Sequence, residues 1–423
     1  MSPSGPTDAG SRDRSIDETH DRSTDVEGRD RLVGAEIHGR LLDALGGDDA
    51  AALVHAGHPR EPTLRYLLGA ADRRPAGEVG VVRAVAVDEE GILAFAADGD
   101  DHPATRLADA LRERGRTGTL LAPPDIPHDA ALYLERAGFE LASTDLLDRL
   151  RASKSPAEVR RIERSAAAAT AGLRRAASIL ADAASDGVSD DATGDGVSDD
   201  AAGDGSSAGA TAHDGTLVVD GEPLGREGFR RRIDAAIVDA GGFPAGHTVV
   251  GVGRTPTSDA SETIGEGATA GGGADVLPVG ESIVVSVAPR GPEGYHAPMS
   301  RTFVVDGDGG ERRRAHVAAT AALRSAEALL ESGEDRAGVV EADLAAEVAA
   351  FGFEAGVESS VRGVGLEPTE RPLAGGTIPD GAVLALEAET IEPAVRLADL
   401  LVVEGGAVRR LEAPSRSLVP SRE

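Results

Sequence analysis

GESIVVSVAPRGPEGYHAPMSRTFVV, residues 280–305, is the stretch on which the reading of this chain turns. Ile283–Val287 is an apolar run rich in β-branched residues, and Ser300–Val305 is a second run that ends at Asp306-Gly307. Runs of this kind fit a pleated, half-buried surface and read as strands. Between them Pro289, Gly291, Pro292 and Gly294 supply turn chemistry, so the stretch reads as two strands joined by a loop.

The pattern V-x-V-A-P-R-G-P-x-G-Y-x-A-x-x-x-R-T-F within it resembles the central hairpin of the pita-bread metallopeptidases. That family includes methionine aminopeptidase, aminopeptidase P, prolidase and creatinase. The resemblance implies an α/β (α+β) chain: a creatinase-type N-terminal α/β domain, then a C-terminal pita-bread domain with a curved antiparallel sheet. It also implies a pair of divalent ions, Mn, Co or Zn, held by two Asp, one His and two Glu. Such ions stand ~3.5–4 Å apart, bridge and acidify one water, and polarise the scissile carbonyl. Hard oxygen ligands suit Mn or Co.

Carried over position by position, most of these ligands are replaced. The first Asp falls on Ser286, or on Val287 with a different loop length. The second falls on Pro298, which neither ligates nor donates to a ladder. Around it Gly294, Tyr295, Arg301, Thr302 and Phe303 are kept. The His of the family's G-H-G-x-G-L motif is Arg362, with Gly363, Gly365 and Leu366 kept. One Glu is retained as Glu387, and the last is Ala398, between Arg396-Leu397 and Asp399. Of the two substrate-contacting histidines, one is missing near Ala260-Ser261 and the other is Thr369, followed by the retained Glu370. The alternative candidates Asp306, Asp308, His296, His316 and Asp399 do not restore a ligand set, because a one-residue slip turns a strand residue to the other face. His296 is expected to be exposed in a loop. Arg362 is expected either to pair with Glu387, with Glu370 as a second candidate, or to reach solvent from a strand end.

Composition agrees with a cytoplasmic protein and narrows its partners. The 423 residues carry a formal net charge of −30, and Lys154 is the only lysine. Acidity together with lysine depletion reads as adaptation to a molar-salt cytoplasm, where screening reaches only a few ångströms. Nucleic acid is not an expected partner at this charge. With no cysteine, thiolate nucleophiles, thiolate metal sites and disulfides are excluded. No apolar run is long enough for a membrane helix, and residues 1–23 lack the apolar core of a secretory signal.

Outward from the hairpin, residues 1–30 read as a disordered tail and 31–150 as the creatinase-like domain. In that domain, helices are expected at Ala35–Leu45, Pro103–Arg114 and Asp129–Ala137. Strands are expected at Ala51–Ala56 and Thr117–Leu121, with a hairpin of Val81–Val87 and Ile92–Ala97. Leu64–Gly69, L-R-Y-L-L-G, strengthens the resemblance. Residues 151–413 read as the pita-bread domain, opened by a helix over Arg151–Leu180 with Ser155, Pro156 and Glu158 as its capping box. A flexible acidic insertion, 183–216, repeats D-G-V-S-D-D-A at Asp186 and Asp195. A short hairpin, Leu217–Gly225, is followed by helices Phe229–Ala240, Glu311–Ser332 and Val339–Phe351. Strands fall at Gly246–Gly253, Val361–Leu366, Val383–Glu389 and Val395–Val403, and 414–423 reads as a tail.

The expected function is that of a metallopeptidase homologue without catalytic residues, metal or other cofactor. It would act as a binding or dimeric scaffold for a peptide or small molecule, as metal-free histone-chaperone and ribosome-associated relatives of the fold do. The alternatives are an active Xaa-Pro metallopeptidase and a creatinase-like metal-free hydrolase. The latter depends on a histidine at the position of Thr369.

Overall fold

A computed structural model describes residues 36–46, 50–70, 82–97, 101–186, 215–253, 276–307, 309–356 and 360–422. The chain divides into two compact units, Met1–Leu147 and Asp148–Glu423.

The first unit is built on a five-stranded sheet. Its strands are β1 (Ala52–Gly57), β2 (Arg83–Asp88), β3 (Gly91–Ala96), β4 (Thr119–Ala122) and β5 (Glu140–Ser143), in the order β3-β2-β1-β4-β5. The β2–β3 hairpin closes with Asp88 opposite Gly91, so Glu89-Glu90 form a two-residue loop. Asp88 is buried, and its carboxylate accepts from Arg114 Nη1 at 2.7 Å and Arg116 Nε at 3.1 Å. The helices are α1 (36–45), α2 (Pro62–Ala70), α3 (Pro103–Glu113) and α4 (His128–Arg136). In α3, Pro103 stands at the first helical position and the His102 ring accepts from the Ala104 N–H. Its Leu107 and Leu111, four apart on one face, join Val54, Ala86, Leu120 and Leu134 in the core.

Helix α5 (Leu146–Ala152) runs across the division after Leu147, and after a break α6 (Pro156–Asp186) follows in the second unit. The single helix expected from Arg151 is therefore two. The capping box explains the break: Ser155 N–H donates to Glu158 Oε2 at 3.0 Å, and Glu158 N–H to Ser155 Oγ at 3.3 Å. A residue in the cap position has non-helical geometry, so the long helix starts at Pro156. Residues 187–214 of the acidic insertion lie outside the described residues. The hairpin β6 (Val218–Val219) and β7 (Glu222–Pro223) follows, held by Leu217 N–H to Leu277 O and Leu277 N–H to Leu224 O. Then comes α7 (Arg226–Asp239).

A curled, antiparallel, seven-stranded sheet fills this unit. It comprises β8 (Val249–Val252), β9 (Ile283–Val287), β10 (Met299–Phe303), β11 (Val361–Gly363), β12 (Ala382–Thr390), β13 (Val395–Glu404) and β14 (Ala407–Arg410). The order is β11-β12-β13-β10-β9-β8, with β14 on β13. Helices α8 (Gly310–Glu331) and α9 (Ala337–Ala350) cover one face. Val361, Leu384, Leu386, Ala388, Val395, Leu397 and Leu401 point into that core beside Ala319, Leu323, Leu344 and Val348. Alternation along each strand then assigns the intervening residues to the other face.

The C-terminal residues 414–422 are not a loose tail. Arg301, fully buried, donates to Pro414 O at 2.8 Å and Ser415 O at 3.0 Å, and Val304 N–H donates to Leu418 O. The reason is charge. Asp399 is buried with Arg301 Nη2 at 2.6 Å, and Arg416 Nε completes it at 2.5 Å.

Candidate functional site

The register of four strands builds one row of side chains across the face opposite α8 and α9. Ser286 faces Ser300, Ser300 faces Ala398, and Ala398 faces Glu387. The Ser286 and Ser300 hydroxyls are 2.8 Å apart. Pro298 stands two residues before Ser300, in the same phase, just outside β10. Arg362 faces Ala385, two residues along β12 from Glu387, so it points to the same side. The sheet thus collects Ser286, Pro298, Ala398, Arg362 and Glu387 on one face. Val287, the other match for the first Asp, points to the opposite face by alternation.

Glu387 is the electrostatic centre of this face. Its Oε2 accepts from Arg362 Nη2 at 2.9 Å, and its Oε1 stands 3.0 Å from Arg396 Nε. Arg396 Nη2 lies 2.8 Å from Glu389 Oε2. Two guanidiniums and two carboxylates thus alternate, and Arg362 is paired rather than extended to solvent, with 15% of its side chain exposed. The sequence reading missed Arg396 and Glu389 as members. The signal was present, because Glu387-x-Glu389 and Arg396-x-Ala398 have the two-residue period that puts both members of each pair on one face.

Glu370 is not the second partner of Arg362. It is buried with Arg151 Nη2 at 2.6 Å from Oε1 and Lys154 Nζ at 3.1 Å from Oε2. Burial opposes its charge, yet Lys154 and Arg151 hold its carboxyl below the usual carboxylate range. The only lysine of the chain is therefore an internal counter-ion. The loop carrying Glu370 folds back tightly on β11. A Cβ on Gly363 would stand 2.1 Å from Arg371 O, and one on Gly365 2.3 Å from Glu370 Oε2, which is why both positions lack a side chain. Thr369 is exposed beside it.

His296 corrects another expectation, since it is buried at 7%. Its N–H donates to Gly365 O at 2.7 Å and its Nδ1 lies 3.1 Å from Ala288 O, so the hairpin loop is stitched to the β11 loop. The ring meets His247 edge-on at 5.6 Å. Burial, reinforced by His247 and Arg290, lowers its pKa to about 4. Asp399 lies on the opposite face with Arg301 and Arg416, and His316 lies on α8. Asp306 follows β10 with a left-handed φ of 52°. Asp308 and the Ala260-Ser261 position lie outside the described residues. Among the described residues, no three His, Asp or Glu are grouped so as to hold a metal ion.

Residues 245–405 match the sequence pattern of metallopeptidase family M24. This chain carries an M24 domain. Its fold is that of the prolidase-type pita-bread enzymes. The Xaa-Pro dipeptidase from Bacillus anthracis is 14% identical with a TM-score of 0.64, covering 91% of this chain and 99% of that one. Dipeptidase PepE from Mycobacterium ulcerans is 19% identical with a TM-score of 0.63, covering 92% and 98%. The N-terminal domain of the FACT complex subunit SPT16 from chickpea is 13% identical with a TM-score of 0.62, covering 92% and 97%. No curated protein matches the chain. Dipeptidases and a FACT complex subunit share this fold at similar scores, so for an M24 domain the residues of the sheet face, not the fold, must decide the chemistry. No helix among the described residues is long and apolar enough to cross a membrane.

Proposed function

We propose that this chain is a binding protein on the M24 scaffold that has lost the dinuclear metal site and the Xaa-Pro peptidase activity. The observation that supports it is the occupation of both Glu387 oxygens by arginines, 2.9 Å and 3.0 Å away. Two divalent ions carry four positive charges and need a cluster of carboxylates. The five positions here hold Ser286, Pro298, Arg362, Glu387 and Ala398, one carboxylate and one permanent cation. These residues do not fit a dinuclear pair. An ion on Glu387 would displace one guanidinium and remain beside the other. At ~4 Å and an effective dielectric of about 20, that repulsion is about 8 kcal/mol.

In this reading the protein has no metal cofactor and takes a peptide or small molecule as a homodimer in a salt-rich cytoplasm. A net charge of −30 disfavours nucleic acid as a direct ligand. The test is hydrolysis of Ala-Pro and Gly-Pro by the full chain, with Mn or Co added. The expected result is no turnover with either ion. Metal-dependent cleavage that disappears in Glu387→Ala would overturn the reading.

A further inference from the structure

Beside the loop between β9 and β10, three short segments pair and set Phe243, Arg290 and His296 abreast. Phe243 and Arg290 exchange both backbone hydrogen bonds, each at 2.8 Å. On its other side Arg290 faces His296, and there the flanking residues make the bonds: Gly291 N–H to Tyr295 O at 2.8 Å and Ala297 N–H to Pro289 O at 3.1 Å. In that kind of pair the opposed side chains stand closest. Residues directly opposite each other project to the same face, so a phenyl ring, a guanidinium and an imidazole form one row. The guanidinium carbon of Arg290 lies 5.9 Å from the centroid of the Phe243 ring. A turn closed by His247 N–H to Pro244 O brings the His247 ring edge-on to His296.

Three properties define what would settle on this row. First, among the described residues no carboxylate lies within salt-bridge distance of Arg290, although the chain carries a net charge of −30. Second, the buried His296 ring offers a lone pair. A carbonyl oxygen only accepts, so Nδ1, 3.1 Å from Ala288 O, carries the proton. Nε2 is then an acceptor, and it has no hydrogen-bond partner among the described residues. Burial, with His247 and Arg290 adding to it, keeps the ring in this neutral form. Third, an anion would not meet a bare negative charge here. Glu370, whose charge reaches His296, is held by Arg151 and Lys154. A permanent cation beside an unprotonated acceptor selects an anion that still has a proton to donate. A phosphate monoester does, because its second ionisation falls near ~6, whereas sulfate has no proton to give. The ionised oxygens would take the Arg290 fork, and the P–OH would donate to His296 Nε2. Phe243, 50% exposed, offers its ring to whatever the phosphate is attached to.

We propose that the row of Phe243, Arg290 and His296 binds a phosphate group, free or as a monoester. The proposal does not depend on whether the chain holds metal or cleaves peptides, so the two can fail separately. The experiment is isothermal titration of the full chain at pH 6.5 and fixed KCl with inorganic phosphate, phenyl phosphate and sulfate. Saturable binding of phosphate is expected, with sulfate about tenfold weaker or more. Tighter binding of phenyl phosphate than of inorganic phosphate would assign the site to a monoester whose body rests on Phe243, and equal or weaker binding would assign it to the free ion. Arg290→Gln removes a guanidinium without a carboxylate partner among the described residues, so it should melt close to the wild type while weakening phosphate about tenfold or more. The proposal is overturned by the absence of saturable binding of both phosphate compounds, by sulfate binding as tightly as phosphate, or by unchanged phosphate affinity in Arg290→Gln.

Discussion

Replacing Arg362 by alanine removes one of the two guanidiniums that hold Glu387. The pair is 2.9 Å apart, with 15% and 6% of the two side chains exposed, so solvent screens it weakly. Stripping a buried charge of its whole partner set costs ~3–5 kcal/mol. Here Arg396 stays 3.0 Å from the other oxygen, and what is lost is one charge-assisted bond, ~1.5–3 kcal/mol. The expected cost of Arg362→Ala is thus about 2 kcal/mol. Glu387→Ala is the harsher change. It leaves Arg362 without this carboxylate, although Arg396 retains Glu389 at 2.8 Å, and it should cost about 3 kcal/mol. Once Glu387 is gone, the Arg362–Glu387 contact cannot be lost again, so the double variant should cost less than the sum of the two single changes by about the worth of that contact. The coupling energy is then about 2 kcal/mol. The assay is urea unfolding at fixed KCl, with the slope checked for constancy across the four proteins. If Arg362→Ala lies within about 0.5 kcal/mol of the wild type, or the two costs simply add, the guanidinium does not stabilise Glu387 and the reasoning is refuted.

Three further outcomes follow from named contacts. The His296 pKa is about 4 against an unfolded value of ~6.5. The unfolded chain therefore takes up the proton first, and stability is lost as pH falls from about 6.5 toward 4. The wild type should lose about 2 kcal/mol more than His296→Asn between pH 7 and pH 5, measured by urea unfolding at both values; equal losses would show that the ring is not held neutral. Ser155→Ala removes the α6 cap and should cost about 1 kcal/mol, and a variant that melts with the wild type in calorimetry would remove the cap from the account. With a net charge of −30, raising KCl from about 0.1 M to 1 M shortens the screening length from ~10 Å to ~3 Å. The melting temperature should rise across that range, and a fall would contradict surface self-repulsion as the dominant salt term.

Much of the M24 domain was legible because its signals are local. Ile283–Val287 forms a strand with those bounds, since a β-branched run between turn residues has few alternatives. The pairing of Arg362 with Glu387 was readable from two motifs whose spacing is set by strand register. What escaped depended on distant segments. Ser155 looked like a cap within a longer helix, but the break also needs the linker to reach across to residues 380–381. There Lys154 N–H meets Gly381 O and Ser153 Oγ meets Asp380 O. His296 looked exposed because the loop around it is polar, whereas its burial comes from the β11 loop, whose Gly365 carbonyl it binds. The C-terminal residues looked like a tail because nothing adjacent explains Arg416; its partners, Asp399 and Glu327, are 17 and 89 residues away.

The central claim is that the sheet face of this M24 domain is neutralised by arginines and holds no metal pair. Its most direct test is equilibrium dialysis of the full chain against Mn or Co, with the bound ion counted per chain by mass spectrometry and Glu387→Ala run alongside. The account predicts no bound ion above the background of surface carboxylates, and the same background in the variant. Two ions per chain in the wild type, lost in Glu387→Ala, would contradict it and would mean that the arginines leave Glu387 when metal arrives.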